Sequence, residues 1–212
     1  VEPNNVRENT ALLVVSGGSI DSDLGEEMII LAELARISQS VVALVAGIPK
    51  QPLNFLDERN SRSEDAILAY SFDKYIRSYN KGEPEPNWPA LLPMTRATVR
   101  AMDTVQDFMM SKPGRVREVK NFVVTGASKR GWTTWLTAVA ETMNAEATGG
   151  ASRVSAIIPM VVDILNMPAQ IEHHRKSYCG YPFDDSLNSI YHGYSTALRD
   201  YVDENIFSRL DT

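Results

Sequence analysis

Cysteine is almost absent from this chain. Cys179 is the only one in 212 residues, so no internal disulfide can form, and a cysteine-based metal site is disfavoured. Only three histidines are present, His173, His174 and His192, and no carboxylates accompany them at ligand spacing, so no metal site is expected. Positive charge is scarce and scattered. Lys and Arg total 21 against 27 Asp and Glu, a net charge of −6, which argues against a phosphate-backbone binder and its dense basic face. No apolar run approaches the roughly 18 residues of a membrane span. The start, Val1-Glu2-Pro3-Asn4-Asn5, has neither a basic region nor an apolar signal core and lacks Met, so it reads as a mature or excised start. Internal repeats and low-complexity tracts are lacking too.

What is present suits a globular core: hydrophobic residues make up 43% and charged residues 23%. Ala11–Val15 is a short run apolar on both faces, as in a buried parallel strand, and it ends in Ser16-Gly17-Gly18-Ser19. Asp21 or Ser22 is placed to cap a helix with Glu26 and Glu27 in its first turn; Met28, Leu31, Ala32, Ala35 and Ile37 keep helical spacing. Val41–Ala46 reads as a second strand, stopped by Gly47 and Pro49. Residues 63–79 read as a helix carrying Ile67, Leu68, Tyr70, Tyr75 and Ile76. Lys81–Pro89 holds three prolines and reads as a surface loop. A further helix is expected from about Thr95 to Met110, burying Val99, Met102, Val105, Phe108 and Met109. Val119–Val124 and Val154–Val162 read as strands three and four, with a helix from Arg130 between them. Alternating strands and helices predict an α/β fold with a mostly parallel sheet and right-handed crossovers, organised as one domain over residues 1–212.

The chemistry concentrates at Gly126-Ala127-Ser128-Lys129-Arg130-Gly131. A nucleophile elbow is a strand–turn–helix bend with the nucleophile in a strained backbone and small residues two before and two after it. Gly126 supplies the first small residue. Position 130 is Arg and the next glycine is Gly131, so the pattern is G-x-S-x-x-G. The apolar strand before Ser128 and the helix after it are the setting an elbow needs, at the C-terminal edge of the sheet where α/β folds hold their sites. Backbone N–H groups at the helix start, that of Lys129 first, would face a developing oxyanion. A second donor would come from an earlier strand-end loop, and Gly17-Gly18 stands where that loop should be; the plain alternative is an ordinary turn.

The same stretch resembles the T-G-x-x-x-G-x-G turn of short-chain dehydrogenases, but that reading fails. Its last glycine would be Thr133, at least two strands precede the turn, and the one Tyr-x-x-x-Lys pair, Tyr70 and Lys74, comes before it. No cofactor is therefore expected.

The blocks TALLVVSGGS, WPALLPMTRATVRAMDTVQDF, FVVTGASKRGWTTWLTA, IIPMVVDILNMPAQIEHHRKSYCGYPFDD and YVDENIFSRLDT resemble the PhoPQ-activated pathogenicity-related protein family, over nearly the whole chain after Asn5. The resemblance implies a partial α/β-hydrolase-like fold with about four core strands in this chain. It also implies export, since the family includes exported bacterial proteins and a secreted amoebal repressor of proliferation. By comparison with the usual eight strands, the first two and last two would be missing, which marks a fragment or one piece of a cleaved protein. The acid and histidine of a Ser–acid–His set would lie past Thr212, supplied by missing segments of the same protein or by a partner chain completing the sheet.

Within the chain, Asp163 follows strand four, the place from which glucuronoyl esterases, among other hydrolases, recruit their acid; as an alternative it caps the next helix. The histidines follow too closely to fold back to the serine and read as structural. Lys129 matches the basic residue that glucuronoyl esterases carry directly after their nucleophile, and Arg130 has the planar fork to bind a substrate carboxylate; both read otherwise as solvated side chains. Trp132 and Trp135 read as core packing, and Trp88 as a pocket wall. The expectation is an esterase- or peptidase-type acyl transfer on a small-molecule or peptide substrate, with Ser128 and Asp163 catalytic and Gly17, Gly18, Lys129 and Arg130 binding. The alternative is a non-catalytic, hydrolase-like signalling or binding protein.

Overall fold

The computed structural model describes residues 1, 9–19, 21, 23–111, 118–162, 166, 169, 173, 176 and 177. The elements run β1 (Thr10–Val15), α1 (Gly25–Ser38), β2 (Val41–Val45), α2 (Asp65–Asn80), α3 (Leu91–Ser111), β3 (Asn121–Ala127), α4 (Lys129–Thr148) and β4 (Val154–Met160). They fall into two compact units, residues 1–51 with 91–162, and residues 52–90 with 163–212.

The first unit is an α/β layer structure around a four-stranded, all-parallel sheet in the order β2-β1-β3-β4. The apolar runs form these strands because a parallel sheet covered on its faces buries both sides of each strand. Alternation then divides each strand between two cores. Ala11, Leu13, Val15, Val41, Phe122 and Val124 pack with Met102 and Met109 of α3. Leu12, Val14, Val42 and Leu44 turn the other way, onto Leu31 and Ala35 of α1. The chain first steps from β1 outward to β2, then crosses back over β1 to β3 and on to β4. The connections therefore diverge between β1 and β3, and that is the sheet's topological switch point.

Several helix details differ from expectation. The first helix starts at Gly25, with Leu24 at the cap and no side-chain capping bond; Asp23 instead accepts the Gly25 N–H at 2.9 Å. The third helix begins at Leu91, before the expected Thr95, because Pro93 falls in the first turn, where the missing N–H has no intrahelical partner to lose. Phe108 was expected in the core but is 58% exposed. The buried stripe runs through Thr95, Thr98, Met102 and Met109, and Phe108 lies about 100° round the helix from Met109.

Helix α4 packs on α3, β3 and β4. Its inner face is threonine-rich: Thr133, Thr134 and Thr137 are buried, and each hydroxyl donates to the carbonyl four residues earlier, at 2.9, 2.8 and 2.8 Å. Small side chains that satisfy themselves this way let helix and sheet approach closely at no polar cost. At the opposite end of the sheet from Ser128, Arg153 donates bidentately to Glu141 at 2.8 Å and also to Asp103 and Gln106. The hydrogen bonds it donates to Glu141, then to Asp103, hold its guanidinium above the usual arginine range. Burial raises Asp103, but the hydrogen bonds from Arg153 and Arg100 outweigh it and hold its carboxyl below the usual range. Among the described residues β4 pairs only with β3, and Ile158 and Met160 are exposed on it.

In the second unit α2 presents Tyr70 to a small aromatic cluster. Phe55 stacks on it with ring centroids 3.9 Å apart, and Trp88 meets it edge-on at 5.9 Å. The Tyr70 hydroxyl donates to Asp57 at 2.5 Å, and Lys74 pairs with the same carboxylate. Those two hydrogen bonds, Lys74 first, bring the Asp57 carboxyl down to about 2. Desolvation and the Asp57 bond push the Tyr70 phenol up. Arg62 lies over the Tyr70 ring at 5.1 Å and pairs with Glu58, which leaves it half-buried.

Candidate active site

The bend after β3 is made at one residue. The Ser128 N–H still bonds in strand fashion to Met160 O at 2.9 Å, while its carbonyl already accepts the N–H of Trp132 at 3.0 Å. A single residue thus closes the last strand bond and the first helix bond. Its backbone sits at φ 55° and ψ −124°, a region that L residues enter only when the surroundings force it, at a cost of about 1–3 kcal/mol. Ser128 is exposed, and its hydroxyl makes no capping bond to the helix it opens. The side chain stands clear at the corner instead of being absorbed into the turn.

The glycines around it are explained by close approach. A Cβ on Gly126 would fall 2.7 Å from the Arg130 carbonyl oxygen, and one on Gly131 would fall 2.7 Å from Met160 O and 3.1 Å from Gly126 O. The first turn of α4 therefore lies directly on the ends of β3 and β4. Gly131, one residue later than an elbow's usual second small position, is the residue this approach requires. The departure from G-x-S-x-G follows from which residue of the turn faces the sheet.

Strand register brings the glycine loop level with the serine. Val15 pairs with Gly126, so two residues further along each strand stand Gly17 and Ser128, at the C-terminal ends flanking the switch point. In open α/β sheets ligands bind in this crevice. The loop is stitched from its far side: Ser16 N–H donates to Val45 O at 2.9 Å, Gly47 N–H to Gly17 O at 2.8 Å and Ile48 N–H to Ser16 O at 3.1 Å. Gly18 then turns at φ 131°, which only glycine adopts freely. The Ser16 hydroxyl donates to Glu27 in the first turn of α1 at 3.2 Å.

Lys129 and Arg130, the two cations after the serine, are 9% and 6% exposed. They are buried, where the plain reading had them solvated. The Arg130 Nε donates to Ile48 O at 2.6 Å, and its guanidinium lies on Gly17, where an added Cβ would come 2.6 Å from Nη2 and 2.7 Å from Cζ. Pattern reading missed this contact. The only trace of it in the sequence is an arginine where an elbow normally keeps a small residue. Trp135 is 39% exposed, more open than core packing implies, and Trp88 donates its Nε1 to Glu85 at 2.9 Å.

One corner therefore gathers Ser128, the first turn of α4 and the Gly17-Gly18 loop. An exposed hydroxyl beside backbone amides can attack a carbonyl and hold the resulting oxyanion where those amides face it. Asp163, His174 and His192 lie outside the described residues, and His173 is exposed. Among the described residues no cluster of His, Cys, Asp and Glu could hold a metal ion, and no helix is long and apolar enough to cross a membrane.

Comparison with known proteins places the chain beside one family. Residues 1–212 match the PhoPQ-activated pathogenicity-related proteins. The autocrine proliferation repressor protein A of Dictyostelium discoideum is 33% identical over 213 residues. The match takes in 99% of this chain and spans 37% of that relative's length. No solved structure matches.

Proposed function

This chain belongs to the PhoPQ-activated pathogenicity-related protein family, and on that premise we propose that it carries the nucleophile and oxyanion-binding part of a serine hydrolase site. The observation that carries the reading is the exposed Ser128 at φ 55° and ψ −124°, opening a helix at the switch point of a parallel sheet. Backbone strain of this size persists where the surrounding structure enforces it, and it clusters at functional sites.

In the proposed reaction the Ser128 hydroxyl attacks the carbonyl carbon of an ester or amide, and its proton passes to a general base. The oxygen of the tetrahedral intermediate is held by the N–H groups of Lys129 and Gly18, with the Lys129 ammonium adding charge. Collapse breaks the bond to the leaving alcohol or amine, which takes the proton, and water then releases the acyl group from Ser128. Asp163 is the in-chain choice for the carboxylate. The base comes from elsewhere in the full-length protein or from a partner, so residues 1–212 alone are inactive. The outer edge of β4, which among the described residues has no strand beside it, and the exposed Ile158 and Met160 support a sheet completed by further segments, and the family's name supports an exported protein.

One observation favours a second reading. A relative is named as a proliferation repressor, which suits a hydrolase-like scaffold used in signalling. Treating the full-length protein with a fluorophosphonate probe separates the two. Covalent labelling lost in Ser128→Ala supports the hydrolase; labelling that survives the substitution, or none at all, supports the scaffold.

A further inference from the structure

We propose that Arg130 is the positioning residue that fixes the Ser16–Gly18 loop against the elbow, setting the distance between the Ser128 hydroxyl and the Gly18 amide. Its catalytic consequence rests on the reading of Ser128 as a nucleophile; the clamp itself does not.

The two halves of an oxyanion site come from different parts of the chain. The Lys129 amide travels with Ser128 because they are neighbours in sequence. The Gly18 amide belongs to a different strand end, more than a hundred residues earlier in the chain, and needs its own tie to the elbow. Sheet pairing reaches only to Val15 and Gly126. Beyond that register the loop is bonded through Ser16 and Gly17 to Val45, Gly47 and Ile48, all on the side of β2, away from Ser128.

Arg130 closes the gap. It leaves α4 two residues after the serine, is 6% exposed, and spans both loops at once. Its Nε donates to Ile48 O, and its guanidinium plane rests on the backbone of Gly17. A flat, delocalised cation can lie against a peptide and keep an in-plane donor for a carbonyl; a lysine ammonium cannot do both. Gly17 needs no side chain for conformational reasons, since it is not among the glycines with positive φ. It is glycine because the guanidinium occupies the space of its Cβ. The arginine in the elbow and the first glycine of the loop are two sides of one contact.

This gives a test built on coupling. Alanine at position 17 must displace the guanidinium, so Gly17→Ala and Arg130→Ala remove the same contact by opposite routes. In the full-length protein, each single change should lower the maximal rate of fluorophosphonate labelling by about 10²-fold, the scale of an ångström-sized misplacement, with half-saturating probe concentration little changed. The double variant should be no slower than either single one. Arg130→Lys should behave like Arg130→Ala. Urea midpoints read the same cycle without chemistry and should also fail to add. Additive midpoints, or Arg130→Ala labelling at the unaltered rate, overturn the clamp. If the unsubstituted protein does not label, the Ser128 reading fails on its own, and non-additive or additive midpoints still decide for or against Arg130.

Discussion

Replacing Ser128 by glycine is predicted to stabilise the protein while removing its nucleophile. The residue sits at φ 55° and ψ −124°, where an L side chain costs about 1–3 kcal/mol and glycine nearly nothing. Against that gain stands the extra freedom glycine brings to the unfolded chain, about 0.5–1 kcal/mol relative to alanine. Taken at mid-range, the balance favours Ser128→Gly over Ser128→Ala by about 1 kcal/mol, since alanine keeps the strain and an exposed hydroxyl contributes little to folding. Glu64 supplies an internal comparison: it opens α2 at φ 51° and ψ −124°, and Glu64→Gly should beat Glu64→Ala by a similar margin. Urea unfolding of the four variants, read at equal slope, checks this. Equal midpoints for Ser128→Gly and Ser128→Ala would refute the claim that the elbow stores strain.

Two further outcomes follow from the charge networks. Glu141 is 3% exposed and accepts both bonds of the Arg153 fork. Glu141→Ala should cost about 3 kcal/mol in urea unfolding, the lower end of the range for breaking a buried pair because Arg153 keeps Asp103 and Gln106; Glu141→Gln should cost clearly less. Asp57 titrates at about 2, below its ordinary 3.8, because Lys74 and Tyr70 bond its charged form. A depressed carboxylate contributes stability that is fully present above 3.8 and is lost as pH falls through about 2. Carboxyl NMR titration should place Asp57 there, and Lys74→Met should move it back toward 3.8; an unmoved value would remove Lys74 as the main cause.

Local signals made the sheet legible. Ala11–Val15, Val41–Val45 and the stretch ending at Gly126 are apolar on both faces, and that pattern belongs to buried parallel strands whatever surrounds them. The bend at Ser128 was legible for the same reason, since strand, glycine, serine and helix are consecutive. What sequence could not show was contact across distance. Arg130 meets Ile48 across 82 residues, and no periodicity encodes that pairing, so the arginine looked like an irregularity in a motif. The start of helix α3 and the burial of Phe108 were misjudged by local rules. Pro93 reads as a breaker until its place in the first turn is known, and Phe108 looks buried until the stripe through Met102 and Met109 fixes the inward face. The threonines of α4 carry no apolar pattern, so their burial depends on carbonyls four residues back.

The central claim is that Ser128 is a reactive alcohol held at the corner of β3 and α4. The full-length protein and its Ser128→Ala variant should be exposed to a fluorophosphonate probe, digested, and the modified peptide mapped by mass spectrometry. A single adduct is expected on the peptide containing Ser128, absent from the variant. An adduct on another residue, or an unmodified Ser128 at saturating probe, would contradict it.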